Sequence, residues 1–496
     1  MRRVYFDEAA PSEDLHRRSL RGGAISMVAQ GVNVVVQVVS TIVLARLLLP
    51  EDFGLVTMVS AVVGFASIFV DLGTRDAVAQ RGRVTEGEVS ALFWITLGVG
   101  LVLTIITVFS APLIARFYEE PRLGLIAITL SLTFALPALY FQQYGLMRRA
   151  MMFRTLAFID VGGNLLATAV AIIIAFQGYG YWALVWKPVL TVLFTGLGVW
   201  ISCGWWPRYP TFTTGVKELL GFGLNITGFT IADYAARAAD RIALGYTAGP
   251  RELGFYQNAF LVYDNALNVC APLHNVATSA LSKLRADTAA LKRAWSTALS
   301  SLTYFAAPAF AILAVTGHDL VVLVLGSKWD EAGAILSVLA LRGPAHVVER
   351  TLGWLHVTAG RPDRWRHWGI VNCVATIVAL FCGLPFGVLG VATAYTALMY
   401  LLFVPAIVYA GRPLGIGVAD VLKTVGPQVI TALGAAAVGS LVGHTLLQDT
   451  SPLVRLLTLG ILCGTVYLAT MTLGFRMTKP LAVAASLVRA RKPGLG

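Results

Sequence analysis

Runs of apolar residues long enough to cross a lipid bilayer follow one another along nearly the whole chain. About 14 such runs can be placed, the first at 22–45 and the last at 454–474, with short connections between them. Charged residues make up 13% of the sequence, against about a quarter in soluble proteins. The sequence therefore predicts an all-α polytopic membrane protein with about 14 transmembrane helices and no separate soluble domain.

The positive charges are distributed unevenly between the two ends of the predicted helices. Of 38 Lys and Arg residues, 27 lie in the termini and one set of alternate connections, six lie in the other set, and five lie inside spans. By the positive-inside rule, this bias predicts that the N-terminal segment 1–21 and the basic C-terminal tail 475–496 are both cytoplasmic. The net charge of +12 then reflects topology and contact with anionic lipid, so nucleic acid is not an expected partner.

Motifs of enzyme chemistry do not occur in the sequence. The five cysteines are scattered without the spacing of a disulfide framework or a metal site, and no nucleotide-binding glycine motif is present. A membrane-embedded polysaccharide polymerase or ligase is the enzyme alternative, but such enzymes use a large outer loop. The longest outer connection here has about a dozen residues. We therefore expect no enzyme activity, no cofactor and no metal ion.

An internal repeat indicates how the predicted helices are arranged. LARLLLPEDFGL at 44–55 and LGYTAGPRELGF at 244–255 both lie at a hairpin between two spans. The copies share a proline, an acid and a glycine: Pro50 and Pro250, Asp52 and Glu252, Gly54 and Gly254. An even number of spans separates them, which predicts lobes of six helices at 22–202 and 218–410, related by a pseudo-two-fold axis along the membrane normal. The segment 425–474 then supplies two further helices.

The seventh predicted span carries an unusual stripe of charge. Asp233, Arg237, Asp240 and Arg241 lie within about a 100° arc of a helix. Each such charge costs about 2.5–3.5 kcal/mol at the bilayer centre, so the stripe must face protein or a water-filled cavity. Two internal ion pairs that join helices are the structural alternative to a functional site.

Polar stripes also occur on the first and sixth spans. Gln30, Asn33 and Gln37 share one face of the first span, which is the repeat counterpart of the seventh. Polar contacts between helices would explain this stripe without a cavity. Lys187 lies a turn or two inside the sixth span, where it either faces the protein interior or extends toward the outer interface.

The tenth span carries a third stripe, which contains both acids and bases. Its members fall on one helix face: Arg342, His346, Glu349, Arg350 and His356. Gly343 and Pro344 follow Arg342 directly and predict a kink at this point.

Several segments in constant order resemble the oligosaccharide flippase (Wzx, polysaccharide transporter) family, and within it the WzxC-like branch. These are ARLLLPEDFGLVTM (45–58), FVDLG (69–73), LIARFYEEPRL (113–123), GYGYWALV (178–185), GSKW (326–329) and GRPDRW (360–365). The family shares a superfamily with MATE multidrug exporters and lipid II flippases. The resemblance implies alternating access in a bacterial inner membrane, with transport of an undecaprenyl-diphosphate-linked oligosaccharide from the inner to the outer leaflet. The expected context is polysaccharide, lipopolysaccharide or exopolysaccharide biosynthesis, alongside other assembly proteins.

The charged stripes fit the transport of such a substrate. Guanidinium groups bind phosphate bidentately, so Arg237, Arg241 and Arg342 are the candidate diphosphate ligands. Amides and an ammonium group can bind further polar parts of the substrate: Gln30, Asn33, Gln37 and Lys187.

The intramembrane acids are candidates for binding a coupling ion, H⁺ or Na⁺. The candidates are Asp240, Asp233 and Glu349. Asp240 is preferred because it falls in DRIALG, where the resembling proteins often carry an acid, whereas Asp233 is placed to pair with Arg237. A MATE-like cation-coupled multidrug antiporter is the alternative function, and the intramembrane arginines argue against it because its cavity should be dominated by acids.

Overall fold

The computed structural model describes residues 12–71, 73–80, 84–210, 214–268, 287–358 and 362–477, together with the single positions 6 and 281. Within its helices, the structure does not describe the side chains of residues 12–21, 71, 76, 79–80, 214–215, 217–233, 235–237, 357 and 362.

The described chain is α-helical, and no strand occurs in the ranges just given. The helices of the first half are α1 (Ser12–Leu47), α2 (Pro50–Asp71), α3 (Thr74–Gln80), α4 (Glu86–Phe117), α5 (Arg122–Ala138), α6 (Phe141–Arg149), α7 (Phe153–Phe176), α8 (Trp182–Cys203) and α9 (Thr214–Asn268). Those of the second half are α10 (Thr288–Leu325), α11 (Asp330–Leu341), α12 (Gly343–Thr358), α13 (Pro362–Gly383), α14 (Gly387–Gly411), α15 (Val418–Leu446) and α16 (Pro452–Ala469).

Nine helical stretches of the described chain are long and apolar enough to cross a membrane. A tenth is added if α5 and α6, which meet at a bend of 41°, form one broken span. The prediction of an all-α, multi-pass membrane protein is therefore confirmed. The count of 14 spans and the pseudo-two-fold symmetry stay predictions.

Helix breaks divide three of the regions that the sequence predicts as spans or hairpins. The predicted span 122–144 is broken at Leu139–Tyr140, because Pro137 ends α5 in a tight turn in which the Tyr140 amide donates to the Pro137 carbonyl at 2.9 Å. The predicted hairpin between the seventh and eighth spans is a sharp break inside α9, where Gly249 adopts φ 83° before Pro250. Glycine accepts this left-handed region at little cost.

The helix predicted for the tenth span is interrupted at the position of the predicted kink. α11 ends at Leu341 and α12 begins at Gly343, with Arg342 between them. Pro344 has no backbone N–H group to donate, so a carbonyl group one turn earlier loses its helical partner. A hydroxyl group of α14 donates a hydrogen bond to a backbone carbonyl group at this interruption: Tyr400 Oη donates to the Leu341 oxygen at 2.7 Å.

The chain divides into two compact units, Met1–Gly254 and Phe255–Gly496. In the first unit, α7 packs against α8 and α1, and α4 packs against α5. Its main described core joins α4, α6 and α8 with the segment after α8, and its buried members include Leu92, Phe93, Met147, Val199 and Trp205. α7 thus packs against both α1 and α8, the helices that carry the first group of candidate residues.

The second unit is built around the long helix α10. This helix contacts α11, α12, α15 and α16. Alanine and cysteine side chains line its contact with the C-terminal pair, where Tyr467 Oη donates to the Tyr304 carbonyl at 3.0 Å. Small residues let helix backbones approach closely in a membrane, so they determine where the C-terminal pair packs.

The two repeat hairpins meet in the first unit through their glycines. A Cβ atom on Gly54 would lie 1.6 Å from the Pro250 carbonyl oxygen, and a Cβ atom on Gly254 would lie 1.9 Å from the Pro50 carbonyl oxygen. Each copy therefore places its glycine on the proline carbonyl of the other copy. This reciprocal contact, which we call the glycine seam, explains why both copies need a residue without a side chain at the same place.

Candidate functional site

Polar side chains connect α1 to its neighbours in the first unit. Asn164 of α7 donates its Nδ2 hydrogen to Asn33 Oδ1 at 3.0 Å. Lys187 of α8 donates from Nζ to Ser40 Oγ at 2.7 Å and to Gln37 Oε1 at 3.3 Å. The ammonium group is thus directed at α1 and does not extend toward the outer interface. Both of its hydrogen-bond partners are neutral, so its charge is not cancelled by them.

The predicted substrate residues on α1 differ in exposure. Gln30 and Gln37 are exposed, whereas Asn33 is half-buried by its contact with α7. The structure thus brings Gln37 and Lys187 together and places Asn33 in a separate hydrogen bond to α7, in one row along α1. Gln30 lies on the same helix but on its open surface.

The charged stripe of the seventh span lies in the first segment of α9. Asp240 is buried, and its Oδ1 accepts the Arg241 backbone amide at 2.8 Å. Arg241 itself is half-buried. The side chains of Asp233 and Arg237 lie outside the described residues, so their predicted pairing stays a prediction.

Tyr234 fixes this segment of α9 against α2. Its hydroxyl group donates to the backbone carbonyls of Ser60 at 3.0 Å and Ala61 at 3.2 Å. A Cβ atom on Gly64 would lie 2.1 Å from the same hydroxyl oxygen. Close approach to a glycine therefore sets the position from which Asp240 and Arg241 project two turns further along α9.

The second unit contains a denser cluster at the break between α11 and α12. Arg342, at the break, is 8% exposed, and its guanidinium carbon lies 4.7 Å from the centre of the Tyr263 ring. The Tyr263 hydroxyl group and His346 Nδ1 are 2.7 Å apart, within one hydrogen bond. His346 Nε2 and Glu349 Oε2 are 3.9 Å apart. Asn372 of α13 donates to the other Glu349 oxygen at 3.2 Å.

A second polar contact extends the cluster along α9 and α12. Arg350 donates to Asn268 Oδ1 at 3.4 Å, and Asn268 donates to Asp264 Oδ2 at 3.0 Å. We call the set of Tyr263, Asp264, Asn268, Arg342, His346, Glu349, Arg350 and Asn372 the break cluster. It brings together two of the predicted site residues, Arg342 and Glu349, with groups from three helices.

His356 belongs to the same predicted stripe but lies apart from the break cluster. Its ring packs 5.5 Å from the Trp365 ring and 5.8 Å from the Tyr409 ring, measured between centroids. Arg364 also lies over Tyr409, at 4.2 Å from the ring centroid. Members of the stripe predicted for the tenth span therefore contact two separate groups of residues along α12.

Sequence reasoning did not select Asn164 or Asn372 as partners of the site residues. Each is a small polar residue on an apolar helix, a type that commonly joins helices in membranes. The available signal for these partners was a carboxamide that lies within an apolar run. Such a group bonds a charged or amide side chain on another span. The partner could not be known without the packing of the helices.

The described residues contain no group of three or more His, Cys, Asp or Glu side chains placed to hold a metal ion. The candidate site residues described above carry guanidinium, ammonium, imidazole, carboxylate and amide groups. Such a set can bind an anion, exchange a proton and hydrogen-bond hydroxyl groups.

The chain is similar in sequence to known proteins. Residues 43–334, which are more than half of the chain, match the family described as "Polysaccharide biosynthesis protein". The teichuronic acid biosynthesis protein TuaB of Bacillus subtilis (strain 168) is 25% identical over 343 residues, which are 68% of this chain and 71% of TuaB. The lipopolysaccharide biosynthesis protein WzxC of Escherichia coli (strain K12) is 24% identical over 392 residues, 77% of this chain and 78% of WzxC.

Among solved structures, the lipid II flippase MurJ in an inward closed conformation superposes with a TM-score of 0.70 at 15% identity. The match covers 91% of this chain and 99% of MurJ. At this identity the likeness establishes the fold alone. The family resemblance predicted from the sequence segments is confirmed, and the chain belongs to the polysaccharide biosynthesis protein family.

Proposed function

We propose that this protein is a flippase that moves an undecaprenyl-diphosphate-linked oligosaccharide from the inner to the outer leaflet of a bacterial inner membrane. Family membership supports this function, because relatives in two organisms are named for the biosynthesis of teichuronic acid and lipopolysaccharide. The fold of a lipid II flippase supports it independently. The uneven distribution of Lys and Arg supports cytoplasmic termini.

The observation that carries the proposal is the guanidinium group at the helix break. Arg342 is buried among aromatic rings in a helical region that the sequence places within the membrane, where an unneeded charge is costly. A diphosphate that must pass through hydrocarbon requires cationic ligands that stay charged, and guanidinium meets this need. Arg241 and Arg237 would supply further ligands from α9.

Polar groups on α1 and α8 would bind other parts of the substrate. Lys187 offers an ammonium group whose described partners are neutral, and Gln30 and Gln37 offer exposed amides. Asn33 would position this row through its bond to α7. These groups suit a substrate that carries both phosphate and hydroxyl groups.

The acids are proposed to bind the coupling ion. Glu349 lies in the break cluster with Arg342, and Asp240 is buried beside Arg241, so each acid is next to a candidate anion ligand. Asp233 is proposed as the partner of Arg237. The protein acts as a transporter without enzyme activity, and it works with other polysaccharide-assembly proteins.

Leaflet-selective labelling of lipid-linked oligosaccharide tests the function. Cells that lack the protein should accumulate the lipid-linked glycan in the cytoplasmic leaflet, and the Arg342→Gln variant should reproduce this accumulation. Arg293→Gln is the matched control, because it makes the same change at an exposed position of α10. Normal delivery to the outer leaflet in the deletion strain, together with new sensitivity to cationic drugs, would instead favour a MATE-like antiporter.

A further inference from the structure

The break cluster contains an imidazole between a phenol and a carboxylate, contributed by different turns of two helices. Tyr263 of α9 bonds His346 Nδ1, and Glu349 lies one turn after His346 on α12. The His346 and Glu349 side chains are 22% and 21% exposed. Imidazole is the side chain that ordinarily titrates between about pH 5 and 8.

The fixed charges of the cluster cancel when His346 is neutral. The charged side chains that act on Glu349 and Tyr263 are Arg342, Arg350 and Asp264. Together with an ionised Glu349, these three side chains amount to two guanidinium groups and two carboxylates. The neighbouring helices α13 and α10 present the neutral groups Asn372 and Phe310 to this cluster. Protonation of His346 therefore changes the local charge from zero to plus one.

Protonation also changes the hydrogen bonds of the cluster. A neutral imidazole can accept the Tyr263 hydroxyl hydrogen at Nδ1, whereas an imidazolium donates from both nitrogen atoms. On protonation, Nδ1 would donate to the Tyr263 oxygen, and Nε2 would direct its hydrogen toward Glu349. The phenol hydrogen is then free to donate to another acceptor beside Arg342.

We propose that His346 binds a proton together with the diphosphate of the substrate, so that protonation and anion binding at the break cluster strengthen each other. This inference rests on the proposed function, in which Arg342 is a diphosphate ligand. Both effects of protonation act in the same direction, because one adds positive charge and the other releases a hydrogen-bond donor. By linkage, diphosphate binding must then raise proton occupancy by the same factor.

The binding of farnesyl diphosphate to the full chain in lipid nanodiscs tests the inference. Wild-type protein should bind at pH 5.5 more tightly than at pH 8 by at least about fivefold, the lower end of typical coupling between sites. His346→Gln should lose most of this difference, and His318→Gln, at an exposed position of α10, should keep it. Farnesyl diphosphate also titrates, but equally for every variant, so the comparison between variants isolates the protein.

Two further variants separate the contributions. Glu349→Gln should bind more tightly than wild type at pH 8, because it removes one negative charge, and should still respond to pH through His346. Tyr263→Phe should keep part of the response, because the charge effect remains after the hydroxyl group is removed. Thermal melting of each variant establishes that it is folded before its affinity is compared.

The possible results distinguish this inference from the proposed function. If wild type binds, Arg342→Gln weakens binding, and His346→Gln has the wild-type pH profile, the proton inference is wrong and the flippase proposal stands. If wild type binds no farnesyl diphosphate at any pH, the diphosphate site at Arg342 and the proton inference both fail. Proton uptake on binding, measured as a change in binding enthalpy between buffers of different ionisation enthalpy, should occur in wild type and disappear in His346→Gln.

Discussion

At the scale of single residues, Lys187 shows how a charge is retained in this fold. Its ammonium group is held by a hydroxyl and an amide oxygen of α1, at distances of a normal hydrogen bond. Neutral partners satisfy its donors and leave its charge available to an anion. A carboxylate at either position would instead neutralise it.

Lys187→Met keeps the length of the side chain and removes the ammonium group. We expect transport to fall by about tenfold or more, since one lost charge-assisted hydrogen bond is worth about 1.5–3 kcal/mol. The melting temperature of the solubilised protein should change little, because the cost of burying the charge is removed together with its bonds. Leaflet-selective labelling measures the first effect and thermal unfolding the second. Lys187→Arg retains the charge and is the control; full transport by Lys187→Met would contradict the proposed role.

Glu120 provides a pH-dependent contact in the connection before α5. Arg122 donates to it at 2.8 Å, and this hydrogen bond lowers the pKa of the Glu120 carboxyl group below its ordinary value. A carboxyl group with a lowered folded-state pKa stabilises the fold above its unfolded pKa, and the effect is lost as pH falls through the folded pKa.

Glu120→Gln should therefore lower stability at pH 7 by less than about 1 kcal/mol, since the ion pair is partly exposed. The difference between variant and wild type should vanish near pH 3. Thermal unfolding of the solubilised protein at both pH values measures this, with Glu119→Gln as a neighbouring control. A difference that is equally large at pH 3 would show that the ion pair is not its cause.

At the scale of helices, the glycine seam joins the start of α2 to residues 250–254 of α9. The contact leaves no room for a methyl group on either glycine. Backbone carbonyl groups cannot move aside as a flexible side chain can, so the two hairpins must separate if a side chain is added.

Gly54→Ala and Gly254→Ala should each destabilise the protein by about 1–3 kcal/mol, the usual range for overpacking. Their transport activity should also fall, because the contact between the hairpins cannot form. Gly98→Ala in α4 is the matched control, since nothing lies within 4 Å of its added Cβ atom. Thermal unfolding and complementation measure the two effects. Wild-type stability in both seam variants would contradict the contact.

The helix break shows what could and could not be predicted from the sequence at this scale. Gly343 and Pro344 predicted a kink beside Arg342, because proline removes a backbone donor from a helix. The sequence could not show that Tyr263, from a helix distant in the chain, would supply a ring for the guanidinium group. Such pairings depend on helix packing, which periodicity does not specify.

At the scale of the whole molecule, apolar length and low charge content predicted the fold class, and the repeat identified the two hairpins whose contact is the glycine seam. The stripe on the seventh span was predicted as one surface, yet only Asp240 and Arg241 of its four charges have described side chains. The stripe on the tenth span was predicted as one helix face, and its members meet two different sets of partners, because the sequence gives the face of a residue but not the side chains that it meets on other helices.

The proposed topology is testable by cysteine labelling with a reagent that cannot cross the membrane. Thr450→Cys, between α15 and α16, should react in intact cells, whereas Gly415→Cys, between α14 and α15, should react only after the membrane is opened. The positive-inside rule is the physical reason, since anionic lipid and the insertion machinery retain basic connections in the cytoplasm. The reverse pattern would place both termini outside.

The glycine seam has a consequence for mutational tolerance. Because each hairpin contacts the backbone of the other, a side chain added to one glycine displaces the equivalent part of the other hairpin. A saturation scan of the chain should therefore show matching intolerance at positions 54 and 254. A single added side chain could be rescued only by a shift of the opposite backbone, so second-site suppressors of either glycine variant should concentrate in the hairpin of the other copy.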